Sequence, residues 1–200
     1  SDIVQTGNGY DITFAEGTQA VTGLFMYETA RVPNTAGLGL ENAGVKMGTG
    51  GEVPVDAYSQ TNIASVYAVG DVTARAQLTP VAIREGAAFA ETVYNDNPST
   101  VDHSIIPTAV FSQPPIGTVG LTEAEARAAT QAGEGVDIYE SVFRPMKHTL
   151  SGSEEKTLMK LIVCRETDKV LGLHIVGPDS GEMIQAFGVA VTMGATKAQF

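Results

Sequence analysis

The stretch SVYAVGDVTARAQLTPVAIREG, Ser65 to Gly86, leaves few architectures open. An apolar, strand-like run stops on Gly70-Asp71. Thr79-Pro80 then supplies a helix start, with Thr79 as the predicted N-cap and Pro80 at the first helical position. From Val81 to Tyr94 the apolar residues recur at helical spacing. Taken alone, a Gly-Asp pair is a turn or a strand-end hydrogen-bonding element. In sheet-based domains, however, ligands gather outside the carboxyl ends of strands, and a carboxylate there can accept hydrogen bonds from ligand hydroxyls such as those of a sugar alcohol. The free N–H groups and positive dipole end of the helix after Thr79 would stabilise an electron-rich, partly anionic group.

Two hundred residues with 43% hydrophobic and 18% charged content suit one or two ordinary globular domains with a real core. A net charge of -11 and twelve scattered Lys and Arg argue against nucleic-acid binding. The longest apolar run, AFGVAVTMGA, is broken by two glycines and falls far short of a bilayer span. Ser1 is not an initiator Met and no secretory signal follows it, so the sequence reads as part of a longer protein. The single cysteine, Cys164, excludes an internal disulfide framework and fits a reducing, cytoplasmic compartment.

Along the chain, DIVQT, GNG and YDITFAE predict a two-stranded hairpin, and GLFMYETARVPNT predicts an apolar strand entering a turn. Six glycines between Gly37 and Gly51 mark a loop, after which EVPVD and SVYAVGD are predicted strands. Polar, turn-rich NDNPSTVDHS, Asn95 to Ser104, is the predicted domain boundary. Beyond it TAVF and GTVGL read as strands, and TEAEARAAT opens a short helix on a Thr122/Glu125 capping box. VDIYESVF, TLMKLIVCRE and KVLGLHIVG predict an antiparallel sheet. SGEMIQAFGVAVTMGA predicts a helix with an apolar face from Met183 through Val191, and Thr196 caps a further turn. Cys164 reads as a small packed strand residue, His148 as a solvated loop side chain, and Glu154-Glu155 as a solvated pair; no Cys, His or carboxylate spacing resembles a metal site.

A polyhydroxyl chain joined to a ring that carries negative charge when reduced describes a flavin, and Ser65 to Gly86 resembles the second flavin-binding motif of the pyridine nucleotide-disulfide oxidoreductases. ARVPNTAGLGLENAGV, SVYAVGDV, LTPVAIREG, IPTAVFSQPPIGTVGLTEAEA, FRPMKHTLSG and VLGLHIVGPDSGEMIQAFGVAVTMGATKAQF extend the likeness in order almost end to end. PPIGTVGLTE and FRPMKHTLSG favour the glutathione reductase branch over lipoamide dehydrogenase or mercuric reductase. The resemblance implies an α/β plus α+β fold. The end of an NAD(P)-binding domain (1–50) and a central FAD-contacting segment (51–104) would precede an antiparallel-sheet interface domain (105–200) that forms a homodimer. It also implies FAD and NADPH as cofactors and glutathione disulfide as substrate.

By the same resemblance Asp71 would bind the ribityl hydroxyls of FAD, and Leu78 and Thr79 would face the pyrimidine end of the flavin. Ala109 would lie where main chain approaches the nicotinamide carboxamide, with an ordinary core alanine as the competing reading; Met146 would lie where a partner subunit touches glutathione disulfide, with gap-filling packing as the alternative. The sequence departs from the family at Ala30, where glycine is usual, at Glu28, where a small residue is usual, and at Ala87, where some glutathione reductases carry an arginine. The family's Cys-x-x-x-x-Cys pair, Gly-x-Gly-x-x-Gly loops and His-Pro-Thr segment do not occur in these 200 residues. No catalytic residue is therefore assigned here, and the isolated chain can equally be read as a dimerisation module without catalysis of its own.

Overall fold

The computed structural model describes residues 2–7, 9–14, 17–22, 26, 30–129 and 135–200, and the chain divides into two compact units, Ser1–Ser99 and Thr100–Phe200. The first unit opens with an antiparallel meander of β1 (Asp2–Thr6), β2 (Gly9–Phe14) and β3 (Gly17–Thr22), in that order across the sheet. The predicted hairpin is thus one strand short: β3 pairs along the whole of β2, from Gly9↔Thr22 to Phe14↔Gly17. The predicted strand in GLFMYETARVPNT falls largely on residues outside those described.

EVPVD and SVYAVGD are not strands, which corrects the sequence expectation. Their backbone groups are satisfied by turns and single long-range bonds instead of a ladder. Pro54 has no N–H to donate, the Asp56 carboxylate accepts from the N–H groups of Tyr58 and Gln60, and Val53 N–H reaches Val72 O at 2.9 Å. One isolated bridge, Gln60↔Tyr67, is what remains of strand pairing in this stretch among the described residues. The segment then passes through a 3-10 turn, Gly70–Thr73, into helix α1, Thr79–Tyr94. The inward face of α1 carries Val81 and Glu85, one helical turn apart.

The second unit is a five-stranded antiparallel sheet. It comprises β4 (Thr108–Val110), β5 (Ile116–Gly120), β6 (Val136–Phe143), β7 (Thr157–Cys164) and β8 (Val170–Val176), in spatial order β4-β5-β8-β7-β6. Helices α2 (Glu123–Ala129), the short α3 (His148–Ser151) and α4 (Ser180–Thr192) complete it. Side-chain alternation sends Val119, Val163, Leu173 and Ile175 against Ile184 and Val191 of α4, while Ile162 joins Val136 and Ala126 of α2. A bulge between Ile162 and Val163 shifts the register, so Val170 and Leu173 share the α4 cluster although they stand an odd number of positions apart. Both faces are therefore covered, as the apolar character of β7 and β8 requires.

Local rules hold well here. Glu125 accepts from the Thr122 N–H at 2.8 Å and hydroxyl at 2.7 Å, and these bonds hold its carboxyl below the usual glutamate value. Thr196 and Gln199 form a second capping box on the 3-10 turn Lys197–Gln199. Gly117 of β5 is needed where α4 crosses. A Cβ there would lie 2.5 Å from the Ser180 carbonyl oxygen and 2.8 Å from Ile184 Cβ. Cys164 is buried at the end of β7, as expected of a packed strand residue.

Candidate functional site

In the first unit, Asp71 stands in the Gly70–Thr73 turn with its side chain 48% exposed, and the Arg31 guanidinium is 3.5 Å from its carboxylate. Arg31, Val32, Pro33, Asn34, Asp71 and Gln77 line a cleft of about 310 Å³. The approach to this cleft carries a departure from the family pattern: Ala30 adopts φ 108, a backbone region that favours glycine.

The helix that follows begins differently from the sequence expectation. Leu78 is the N-cap, Thr79 is already the first helical residue and Pro80 the second, and the N-cap makes no side-chain hydrogen bond. The Leu78 carbonyl accepts from both the Val81 and Ala82 N–H groups, at 3.0 and 3.1 Å. That shared acceptor is the physical reason a hydroxyl cap is not needed: the first-turn donor at Val81 is used internally and Pro80 has none. The Thr79 N–H is left as the first-turn donor without an intramolecular acceptor among the described residues, on an exposed residue.

A carboxylate that sequence reasoning did not single out lies beneath the turn. Glu85 is 1% exposed, accepts the Gly70 N–H at 2.6 Å and pairs with Arg75 Nη2 at 3.0 Å. Gly70 has φ 75, and a Cβ on it would approach Ala82 Cβ to 3.1 Å, so this close turn-to-helix contact favours glycine. Thr73 Oγ1 donates to Gly70 O at 2.8 Å and accepts from Arg75 Nε at 3.3 Å; Arg75 Nη2 also donates to Ser59 Oγ at 3.0 Å. The available signal was an acid on the otherwise apolar face of α1, four residues after Val81, where a charge is expected only with a partner.

The remaining candidates lie in the second unit. Ala109 is half-buried on β4 opposite Gly117; β4 is one of the two edge strands, so its outer side presents main-chain donors and acceptors. Met146 is 90% exposed between β6 and α3, at a hollow of about 260 Å³ shared with Phe143, Lys147, Met159, Asp179 and Met183. Lys147 forms an ion pair with Asp179 across that hollow. His148 is corrected by the structure: it is buried, because its N–H closes a turn onto Pro145 O at 2.9 Å and tucks the ring inward. Its Nε2 is 3.9 Å from the Glu155 carboxylate and its Nδ1 has no hydrogen-bond partner among the described residues. His174 lies on β8 with Nε2 3.1 Å from Leu121 O.

The carboxylate of Asp71 and the open N–H of Thr79 suit hydroxyl groups and an electron-rich ring edge respectively, so these residues fit part of a flavin. Among the described residues no group of three or more His, Cys, Asp or Glu could hold a metal ion, and no helix is long and apolar enough to cross a membrane.

The turn, the helix and the antiparallel sheet recur in known proteins. Residues 1–86 match the family model described as pyridine nucleotide-disulphide oxidoreductase, and residues 106–200 match the dimerisation domain of the same family. The chain belongs to the pyridine nucleotide-disulphide oxidoreductases. It is 50% identical over 185 residues to the chloroplastic/mitochondrial glutathione reductase of Pisum sativum, covering 92% of this chain and 33% of that one. With the glutathione reductase of Nostoc sp. it shares 47% identity over 210 aligned positions, 99% of this chain and 46% of the relative. The solved structure of the HOCl-induced flavoprotein disulfide reductase RclA from Escherichia coli superposes with a TM-score of 0.84 at 26% identity, covering 98% of this chain and 44% of that one. The chain thus spans between a third and a half of the length of these relatives.

Proposed function

We propose that this chain is the flavin-seating and dimer-forming part of an FAD-containing reductase that uses NADPH to reduce glutathione disulfide to two molecules of glutathione. The observation that carries the reading is the half-exposed Asp71 carboxylate, set on a turn that a buried glutamate ties to the helix whose first N–H is open. In that role Asp71 accepts hydrogen bonds from the ribityl hydroxyls, while Leu78 and the Thr79 N–H meet the pyrimidine end of the ring, where the helix dipole favours developing negative charge. Bound flavin supplies the two-electron relay between a nicotinamide and a disulfide. The overall change moves one hydride and one proton onto a single S–S bond, giving two thiols.

In the second unit, the outer edge of β4 at Ala109 offers main-chain groups to a carboxamide, and Met146 offers an exposed thioether at a subunit surface to glutathione disulfide. Homodimerisation through residues 105–200 is supported by the match to the family's dimerisation domain. Glutathione disulfide is favoured over other disulfides by the names of the relatives at 47–50% identity, while NADPH comes from the sequence resemblance to the glutathione reductase branch. A cytoplasmic location rests on the single buried cysteine. Taken by themselves these 200 residues supply one cysteine, buried in β7, and so no dithiol; in isolation they act as a structural and dimerising module.

The test uses the full-length protein. Turnover of glutathione disulfide should exceed that of lipoamide, and NADPH should be preferred over NADH. A preference for lipoamide rejects the substrate, and a full-length protein that retains no flavin rejects the whole reading.

A further inference from the structure

Among the described residues the side-chain contact of Asp71, with Arg31 at 3.5 Å, is long and solvent-exposed, and does not by itself orient the carboxylate. Orientation comes from below. Glu85 accepts the Gly70 N–H at 2.6 Å; Gly70 O accepts from Thr73 Oγ1 at 2.8 Å; Thr73 Oγ1 accepts from Arg75 Nε at 3.3 Å; Arg75 Nη2 returns to Glu85 at 3.0 Å. This is a closed ring around the turn that carries Asp71. It is anchored to α1 through Glu85 and to the preceding loop through Ser59, whose hydroxyl accepts from Arg75 at 3.0 Å.

We propose that Glu85, together with Arg75, is a positioning pair for the cofactor: it sets the Asp71 carboxylate against the N-terminus of α1 and raises flavin affinity without touching the flavin. The inference rests on the flavin-seat reading above. Its physical basis is the chemistry of the acceptor. A carboxylate has two oxygens, and Glu85 uses one for Gly70 and the other for Arg75. An amide in the same place has one acceptor oxygen and an NH2 group that would face either the Gly70 N–H or the Arg75 guanidinium. Glu85→Gln therefore opens the ring at one of its two joints with almost no change in volume. Since Glu85 is 1% exposed, solvent cannot repair the lost bond, and the slack is transmitted to Asp71.

The experiment is a double-mutant cycle in the full-length protein, with FAD titrated into flavin-free protein and thermal midpoints recorded for every variant. Asp71→Asn should raise the FAD dissociation constant roughly tenfold, the scale of one hydrogen bond to a charged group. Glu85→Gln should raise it roughly three- to tenfold, and the double variant should bind no more weakly than Asp71→Asn alone. Hydrogen exchange in the Ser65–Arg75 segment of the flavin-free protein should accelerate in Glu85→Gln, a readout that needs no cofactor. Where Glu85→Gln does not fold, Arg75→Lys serves instead, because a point charge cannot hold Glu85, Thr73 and Ser59 together as a guanidinium fork does. Independent effects that multiply in the double variant overturn the positioning role and leave Glu85 merely structural. Unchanged FAD affinity in Glu85→Gln, with Asp71→Asn still weakened, overturns the inference but leaves the flavin seat standing. Unchanged affinity in Asp71→Asn rejects the flavin seat itself.

Discussion

Replacing Gly117 by alanine tests how α4 is seated on the sheet. The added Cβ would lie 2.5 Å from the Ser180 carbonyl oxygen, 2.8 Å from Ile184 Cβ and 3.1 Å from Ile184 Cγ2. The nearest obstacle is main chain, so no rotamer change relieves it and the start of α4 must move outward by about 0.9 Å to reach an ordinary carbon–oxygen separation. That displacement loosens Ile184 against Val119, Leu173 and Ile175, all nearly inaccessible in the native packing. Overpacking of this kind costs about 1–3 kcal/mol, and the backbone obstacle places Gly117→Ala at the upper end, about 3 kcal/mol. For a unit the size of Thr100–Phe200 each kcal/mol lowers the midpoint by about 4–8 °C. Calorimetry or urea unfolding of Gly117→Ala measures it, with Gly86→Ala as the control. Gly86 sits inside α1, and a methyl group added there meets nothing within 4 Å, so alanine should stabilise by about 0.5–1 kcal/mol. A Gly117→Ala loss below about 0.5 kcal/mol would refute the close α4–β5 approach, since that is the scatter of surface changes.

Three further outcomes are expected. Ala30→Gly should stabilise the protein by about 1 kcal/mol in urea unfolding, because relief of the φ 108 backbone outweighs the entropy of an added glycine. Acid should destabilise the second unit. Glu123 is held below its usual 4.5 by hydrogen bonds from Lys160 and Arg127, and Asp137 below its usual 3.8 by Arg165. Their contribution is complete above those values and is lost as pH falls through the lower folded-state values, so Glu123→Gln with Asp137→Asn should flatten the acid limb of a midpoint-versus-pH curve. Cys164 should react with a thiol reagent only as the protein unfolds, in step with the global transition; rapid labelling of the native protein would contradict its burial at the end of β7.

Most of the second unit was legible from residue order. TLMKLIVC and VLGLHIV are short, nearly continuous apolar runs bounded by a polar turn, as strands covered on both faces must be, and Thr122 with Glu125 caps its helix through bonds spanning three residues. The first unit was less so. EVPVD has the composition of a strand, yet Pro54 and the Asp56 turn divert its backbone, and a third strand paired with β2 where two were expected. His148 looked like a solvated loop residue until the turn onto Pro145 folded it inward. At the candidate site, Asp71 and the helix start were recognisable because a strand-like run ending in Gly-Asp is a local pattern; Glu85 and Arg75 were not, because their importance depends on which backbone lies opposite.

What the sequence determined alone was the kind and order of the elements in the second unit, its Thr122 and Thr196 caps, and the place of the exposed acid ahead of α1. Each of these follows from apolar runs, helical spacing or hydrogen bonds between near neighbours. The tertiary structure decided the spatial order β4-β5-β8-β7-β6, the bulge that turns Val170 and Leu173 to one face, and the ring that ties Gly70 to Glu85. Such features arise when residues distant along the chain compete for the same buried acceptors and the same packed volume, a competition that only the folded geometry resolves.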